Sequence, residues 1–360
     1  FYSTMEYKHM AKPQLAVAAS LPDNEPVFVG VDDGHFGIKA VTDAFGELRS
    51  VYVASRIAVG TNIELANSGD DDSWYENEAG DTYTVSDSVQ FMDTRLGTYA
   101  LSTENHVLIH HALVKLGLAG RNVSIASGLP ISDFYVAGRP NLELVQRKIA
   151  ALGAATLRNR NPSIQLAKIV GHRVYAEAIG AFYDLAIDNS GNEVDAVWAQ
   201  VDAGPIAIVD IGGKTTDVGV IINGGRNIDA ARSGSANIGG LSLNTAVELA
   251  LKQHFKIDSL NPKQVDRAIM TGELRVWGTT HQCADIVDHE KDLLSKQIVQ
   301  ELKRRVRDGA DLEAVYFVGG GSQLLEVQMK DLYPHAVFVP DPQNANARGN
   351  WKAAKFTNQG

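Results

Sequence analysis

Residues 205–221 read PIAIVDIGGKTTDVGVI: an apolar run, Asp210, the glycines Gly212 and Gly213, and a second apolar run. Short apolar runs separated by glycine predict a buried strand, a tight turn and a returning strand. Residues 27–41, VFVGVDDGHFGIKAV, repeat the pattern, with Asp32 ahead of Gly34 and Gly37. Asp210 follows Asp32 by about half the chain, so a duplicated, two-lobed α/β fold is expected. Glycine in such turns lets backbone N–H groups approach a ligand closely. Two facing turns then make a clamp for the β- and γ-phosphates of a nucleotide, with Asp32 and Asp210 facing a hydrated Mg²⁺. Lys39, on the returning strand, reaches the same phosphates. The plainer alternative is two ordinary hairpins with acidic turns; the matched flanking strands favour the clamp.

Composition narrows the class. The chain has 360 residues, enough for about two domains. Hydrophobic residues make up 44% and charged residues 21%, which excludes wholesale disorder. The net charge of −10 gives no general pull toward phosphate backbones or anionic membranes, so direct nucleic-acid binding is disfavoured. No apolar run approaches the ~18 residues that a membrane crossing needs. The single Cys283 cannot form an internal disulfide and fits a reducing, cytoplasmic setting. Residues 14–21, QLAVAASL, are too short an apolar run for a secretory signal and are followed by Asp23 and Glu25. Residues 1–26 therefore read as a flexible tail.

The remaining pattern divides into expected segments. Helical spacing appears over 104–116, 141–152 and 172–187, then from a Ser242 cap to Phe255, and over 285–307. Val315–Val318 reads as a strand entering Gly319, Gly320 and Gly321. The turn at Asp188–Gly191 marks a lobe boundary. The expected organisation is a first lobe over 27–190, a second over 191–340 and a closing segment, 341–360, that returns to the first lobe. The first lobe carries an insertion at about 50–95, of which the acidic 67–82 reads as exposed.

Other motifs are weaker. GGKT at 212–215 fails as a P-loop because Ile208 stands where a glycine is required, and GGGSQL fails the dinucleotide fingerprint at Leu324. The triple glycine reads instead as a strand-to-helix turn whose bare backbone lies against a base. Glu177, at the start of a helix before the second hairpin, can position the water that attacks a γ-phosphate. His110 and His111 point to different helix sectors, and His281 and Cys283 lack partners at finger spacing, so no zinc site is expected. KRRVR at 303–307 reads as a solvated helix face.

In order along the chain, VDDG at 31–34, IHHALVKLGL at 109–118, GLP at 128–130, AEAIGAFYDL at 176–185, IVDIGGKTTDV at 208–218, NIGGLSLNTAVELAL at 237–251 and FVGGGSQLL at 317–325 resemble the actin/Hsp70/sugar-kinase ATPase superfamily. Within it they resemble the plasmid-segregation actins of the ParM/StbA type, from about Val27 to Phe356. The resemblance implies an actin-like (ribonuclease H-like) fold with nucleotide, ATP or GTP, and Mg²⁺ in an interlobe cleft. It assigns the first phosphate turn to Asp32, Asp33, Gly34, His35, Phe36, Gly37 and Lys39. It assigns the second to Asp210, Gly212, Gly213, Lys214 and Thr215, with Gly239 and Gly240 beside it. Gly319, Gly320 and Gly321 form the adenosine turn, Glu177 and Asp210 are catalytic, and Asp32 and Asp210 hold the metal mainly through water. His35 and Phe36 depart from the small hydroxyl residues usual there, and Lys214 from a usual threonine. The implied function is a cytoplasmic, polymerising nucleotide hydrolase that separates low-copy plasmids. Its expected partners are further copies of itself and an adaptor of the ParR type bound to a centromere-like DNA site. Alternatives are a small-molecule kinase on the same superfold, a chaperone-type ATPase lobe and a cell-shape actin homologue.

Overall fold

The computed structural model describes residues 25–60, 73–86 and 99–357. The expected tail lies outside these except for its last two positions, as do residues 67–72 of the expected acidic insertion. The first hairpin forms from β1 (Val27–Asp33) and β2 (Gly37–Thr42), antiparallel, with Asp32 opposite Lys39. β3 (Arg49–Ala54) extends it on one side; β7 (Asn122–Leu129) and β11 (Lys168–Ala176) extend it in parallel on the other. A small sheet of β4 (Ile57–Val59), β5 (Trp74–Asn77), β6 (Thr82–Val85) and β10 (Leu157–Asn159) stands alongside. β8 (Tyr135–Val136) and β9 (Arg139–Pro140) make a minimal hairpin.

The second hairpin repeats the first. β12 (Ile206–Ile211) and β13 (Thr216–Ile222) pair antiparallel, placing Asp210 opposite Asp217. β18 (Ala314–Val318) and then β19 (Ala336–Phe338) add in parallel, while β14 (Asn227–Ile228) and β15 (Gly234–Ala236) pair with β13. In both sheets an antiparallel hairpin is therefore continued by parallel strands. Every residue of β12 is buried because the sheet is covered on both faces, which is why its sequence is apolar except for Asp210.

Helices supply the covers. α1 (Thr103–Lys115), capped by Ser102, packs Val107, Leu108 and Leu113 onto the first sheet and is followed by Gly117 at φ 84. α6 (Gly240–Phe255), α7 (Pro262–Thr271) and α8 (Ala284–Val306) cover one face of the second sheet, with the hairpin β16 (Glu273–Val276)–β17 (Thr279–Gln282) between α7 and α8. α4 (Ile179–Ala186) and α5 (Asp195–Ala203) cover its other face. The shorter α2 (Ile131–Phe134), α9 (Gly320–Leu324) and α10 (Glu326–Met329) line turns, and α3 (Leu142–Ala154) lies beside β11. α11 (Ala345–Phe356) crosses back to β1, β7 and α4, burying Trp351. Among the described residues no helix is long and apolar enough to cross a membrane.

Four expectations are corrected. Over its described residues the acidic 67–82 segment is not simply exposed: β5 pairs with β6 and β10, and Tyr75 is fully buried against His111, because an aromatic side chain in a sheet strand packs inward whatever the charge of its flanks. The helix expected over 172–187 is split: residues 168–176 pair with β7, and α4 starts only at Ile179. Val174 and Tyr175 suit a strand, and β7 offers an open edge; helical spacing in the sequence does not register that neighbour. Ser242 is not the cap of α6, whose N-cap is Gly239. The N–H groups of Gly240 and Leu241 instead donate to the carbonyls of Gly212 and Gly213, at 2.9 and 2.8 Å. The 303–307 run is not a wholly solvated face. Arg305 donates to Glu301 at 2.6 Å and to the Ser235 carbonyl at 3.2 Å, and Val306 is buried.

Candidate active site

The two hairpin turns meet. A Cβ on Gly213 would lie 2.8 Å from the Phe36 backbone nitrogen, and one on Gly239 would collide with the Gly212 and Gly213 carbonyls. Behind this contact a cavity of about 590 Å³ opens between the lobes. All the residues assigned above to nucleotide, metal or catalysis line it except Gly37, which packs against the Tyr52 ring, and Gly239, which is spent on the second turn.

Antiparallel register puts Lys39 directly across from Asp32, and its ammonium donates to Asp32 at 3.0 Å. Burial opposes the Lys39 charge, but Asp32 outweighs it and the pKa is raised, so the cation is held in the cleft. Asp33, next along β1, points to the other face. Lys148 of α3 holds both its oxygens, at 2.9 and 2.8 Å, and also donates to the Gly128 carbonyl at 2.5 Å. The Asp33 carboxylate is thus committed to a buried ion pair that fastens α3 behind the first turn.

Glu177 follows β11, its N–H donating to the Leu129 carbonyl at 2.8 Å. Its pKa lies well above the usual carboxylate range because of burial first, then the nearby Asp217, Asp32 and Asp210. Asp210 is pushed up to about 7 by burial, Asp217 and Asp32. Asp217 is buried and accepts from the Ile131 N–H at 2.8 Å and from the Ser235 hydroxyl; burial still raises its pKa. Three carboxyl groups, Asp32, Glu177 and Asp210, therefore line the cleft with Lys39 as a nearby cation, and the buried Asp217 adds its charge to theirs. An all-oxygen donor set whose members repel one another fits a hard divalent cation such as Mg²⁺. Among the described residues no three His, Cys, Asp or Glu side chains are grouped to hold a metal ion directly.

The triple glycine is demanded partly by the protein itself. Gly319 has φ 81, and a Cβ there would strike the Asp210 carboxylate; one on Gly321 would lie 2.8 Å from the Ile211 carbonyl. Gly320 faces the open cleft. Ile269 and the exposed Met270 of α7, with the exposed Val327, line the same cavity and give it an apolar stretch. At the mouth, Arg56 of the first lobe pairs with Asp266 of α7, which also accepts from Asn244 at 2.8 Å. Sequence reasoning missed Lys148, Asp217, Asn244, Asp266 and Asn346. Asp217 and Asn244 lie inside stretches quoted above but were not singled out there, the other three belong to no motif, and each of the five is delivered by a different element.

The comparisons bear on both lobes. Residues 27–186 match the family described as plasmid segregation protein ParM, N-terminal, and residues 208–331 match archaeal actin homologue MreB-like, C-terminal. No curated protein matches by sequence. Among solved structures, a non-polymerisable quadruple mutant of pCBH ParM is 18% identical, with a TM-score of 0.74 over 92% of this chain and 99% of that one. A 15-stranded ParM filament from Clostridium botulinum is 18% identical, with a TM-score of 0.69 over 92% and 99%. An archaeal actin homologue in complex with ADP is 19% identical, with a TM-score of 0.71 over 91% and 99%. The chain thus has the actin-like fold throughout; its N-terminal part is similar to the ParM/StbA family and its C-terminal part to the archaeal MreB-like actin homologues.

Proposed function

We propose that this protein is a nucleotide-dependent, filament-forming ATPase that drives segregation of low-copy plasmids in the cytoplasm, hydrolysing ATP or GTP in the interlobe cleft after polymerisation. The observation that carries the reading is the pair of glycine turns in contact across a 590 Å³ cleft, with Glu177 among the carboxylates lining it. Turn amides and Lys39 hold the phosphates; Asp32 and Asp210 orient the waters of a bound Mg²⁺. Mg²⁺, when bound, neutralises phosphate charge and lets these carboxylates ionise. Glu177 then positions water in line with the γ-phosphorus, a reaction in which positioning and charge stabilisation dominate. Its partners are further copies of this chain and an adaptor of the ParR type on a centromere-like DNA site.

The test is light scattering with pelleting, adding ATP, GTP or a non-hydrolysable analogue with Mg²⁺. The expected result is a nucleotide-dependent rise that decays as free phosphate appears, with the analogue holding the signal high. Nucleotide binding without assembly at any protein concentration would reject the filament reading in favour of a monomeric kinase.

A further inference from the structure

We infer that Asn346 is a positioning residue that ties Asp210 to the turn carrying Glu177. The inference rests on the hydrolase reading above. Asn346, on α11, is 6% exposed and bonds outward in two directions. Its Oδ1 accepts from the N–H groups of Ala178 (3.2 Å) and Ala181 (3.1 Å), the first turn of α4. Its Nδ2 donates to Asp210 Oδ2 at 2.5 Å. The amide's orientation is fixed by its partners, because two N–H groups require the oxygen and a carboxylate requires the NH₂.

α4 has no cap of its own. Its N-cap is the buried Ala178, held at φ 62 and ψ −35, a conformation that strains any residue with a Cβ. Strain of this kind persists only where the surroundings over-determine it, and the Asn346 oxygen is the group that satisfies the exposed donors. Glu177 is the residue immediately before Ala178. The amide is itself firmly seated. One turn further along, a Cβ on Gly349 would collide with the Gly180 carbonyl, so α4 and α11 cross in backbone contact. Arg348 and Lys352 both grip Asp184 of α4, at 2.6 and 2.7 Å. The two helices form one unit, and Asn346 joins that unit to the strand that bears Asp210. A displacement of Asp210 would thereby be passed to the backbone that carries Glu177.

The test uses the full chain and its Asn346→Ala and Asn346→Asp variants, measuring labelled-nucleotide affinity, thermal midpoint and steady-state phosphate release. Asn346→Asp keeps the acceptor for α4 but sets a carboxylate against Asp210. Both variants are expected to lower kcat at least tenfold while nucleotide affinity without Mg²⁺ changes less than threefold. Asn346→Asp should retain more of the thermal midpoint than Asn346→Ala. Should Asn346→Ala not fold, Asn346→Asp gives the same kcat-against-affinity comparison. Wild-type turnover in a folded variant, or a loss of turnover that only tracks affinity or folded fraction, overturns the inference. A wild-type chain that binds nucleotide without hydrolysing it overturns the hydrolase reading instead, and the relay with it.

Discussion

Glu177 holds a proton more readily than an exposed glutamate because burial and three neighbouring aspartates all oppose its charge. A group so placed is suited to polarising water once a cation offsets the other carboxylates. Glu177→Gln is therefore expected to bind nucleotide within about threefold of wild type and to lose roughly 10²–10⁴-fold in phosphate release. Stopped assays of free phosphate beside labelled-nucleotide titration would check this, and unchanged turnover would remove Glu177 from the chemistry. Three histidines behind the first turn make a separate prediction. Burial lowers His106, His110 and His172 to about 4, against about 6.5 in an unfolded chain. Between those values the unfolded chain binds more protons, so stability is complete above about pH 6.5, falls as the pH drops and levels off below 4. Thermal midpoints measured from pH 7.5 to 4 should show this slope, and His110→Gln should flatten it.

At the level of elements, α11 fastens β1 and β7 of the first sheet to α4. It packs along β1 so closely that a Cβ on Gly30 would collide with the Ala347 carbonyl, and Asn350 donates to the Val31 carbonyl at 3.1 Å. Trp351 is 1% exposed within that contact. Trp351→Ala should cost about 3–5 kcal/mol in a denaturant titration, the usual range for removing a buried tryptophan. Gly349→Ala adds one methyl where two backbones touch, so it should destabilise about as much as a deletion while changing no charge. If both variants melted like wild type, α11 would not be fastened as described.

For the whole molecule, the decisive contact spans the cleft. Arg56 and Asp266 are far apart in sequence, one on each lobe, and their side chains are 11% and 30% exposed where they meet at the mouth. Opening the lobes must break this pair. Arg56→Ala should speed release of a labelled nucleotide several-fold, corresponding to about 1 kcal/mol for a partly exposed pair. Asp266→Ala should match it, and the charge exchange Arg56→Asp with Asp266→Arg should restore slow release. Release rates indifferent to all three would mean that the cleft is held closed elsewhere.

Apolar runs around Asp32 and Asp210 already determined the two hairpins, because a strand covered on both faces must be apolar along most of its length and a turn between such strands needs glycine. α1 and α8 were legible for a similar reason: their spacing and stops are local. The strand at 168–176 was not, since its choice over helix depended on the edge of β7, more than thirty positions earlier. The site divides in the same way. Residues on the turns stand in recognisable order along the chain, whereas Lys148, Asp217, Asp266 and Asn346 act through partners brought near by folding alone. Sequence by itself determined which backbone turns face the cleft, through local sterics and burial. Only the tertiary structure decided which carboxylates are paired, which are left to repel one another and which amide joins them, because those energies depend on distances between elements that the chain order does not contain.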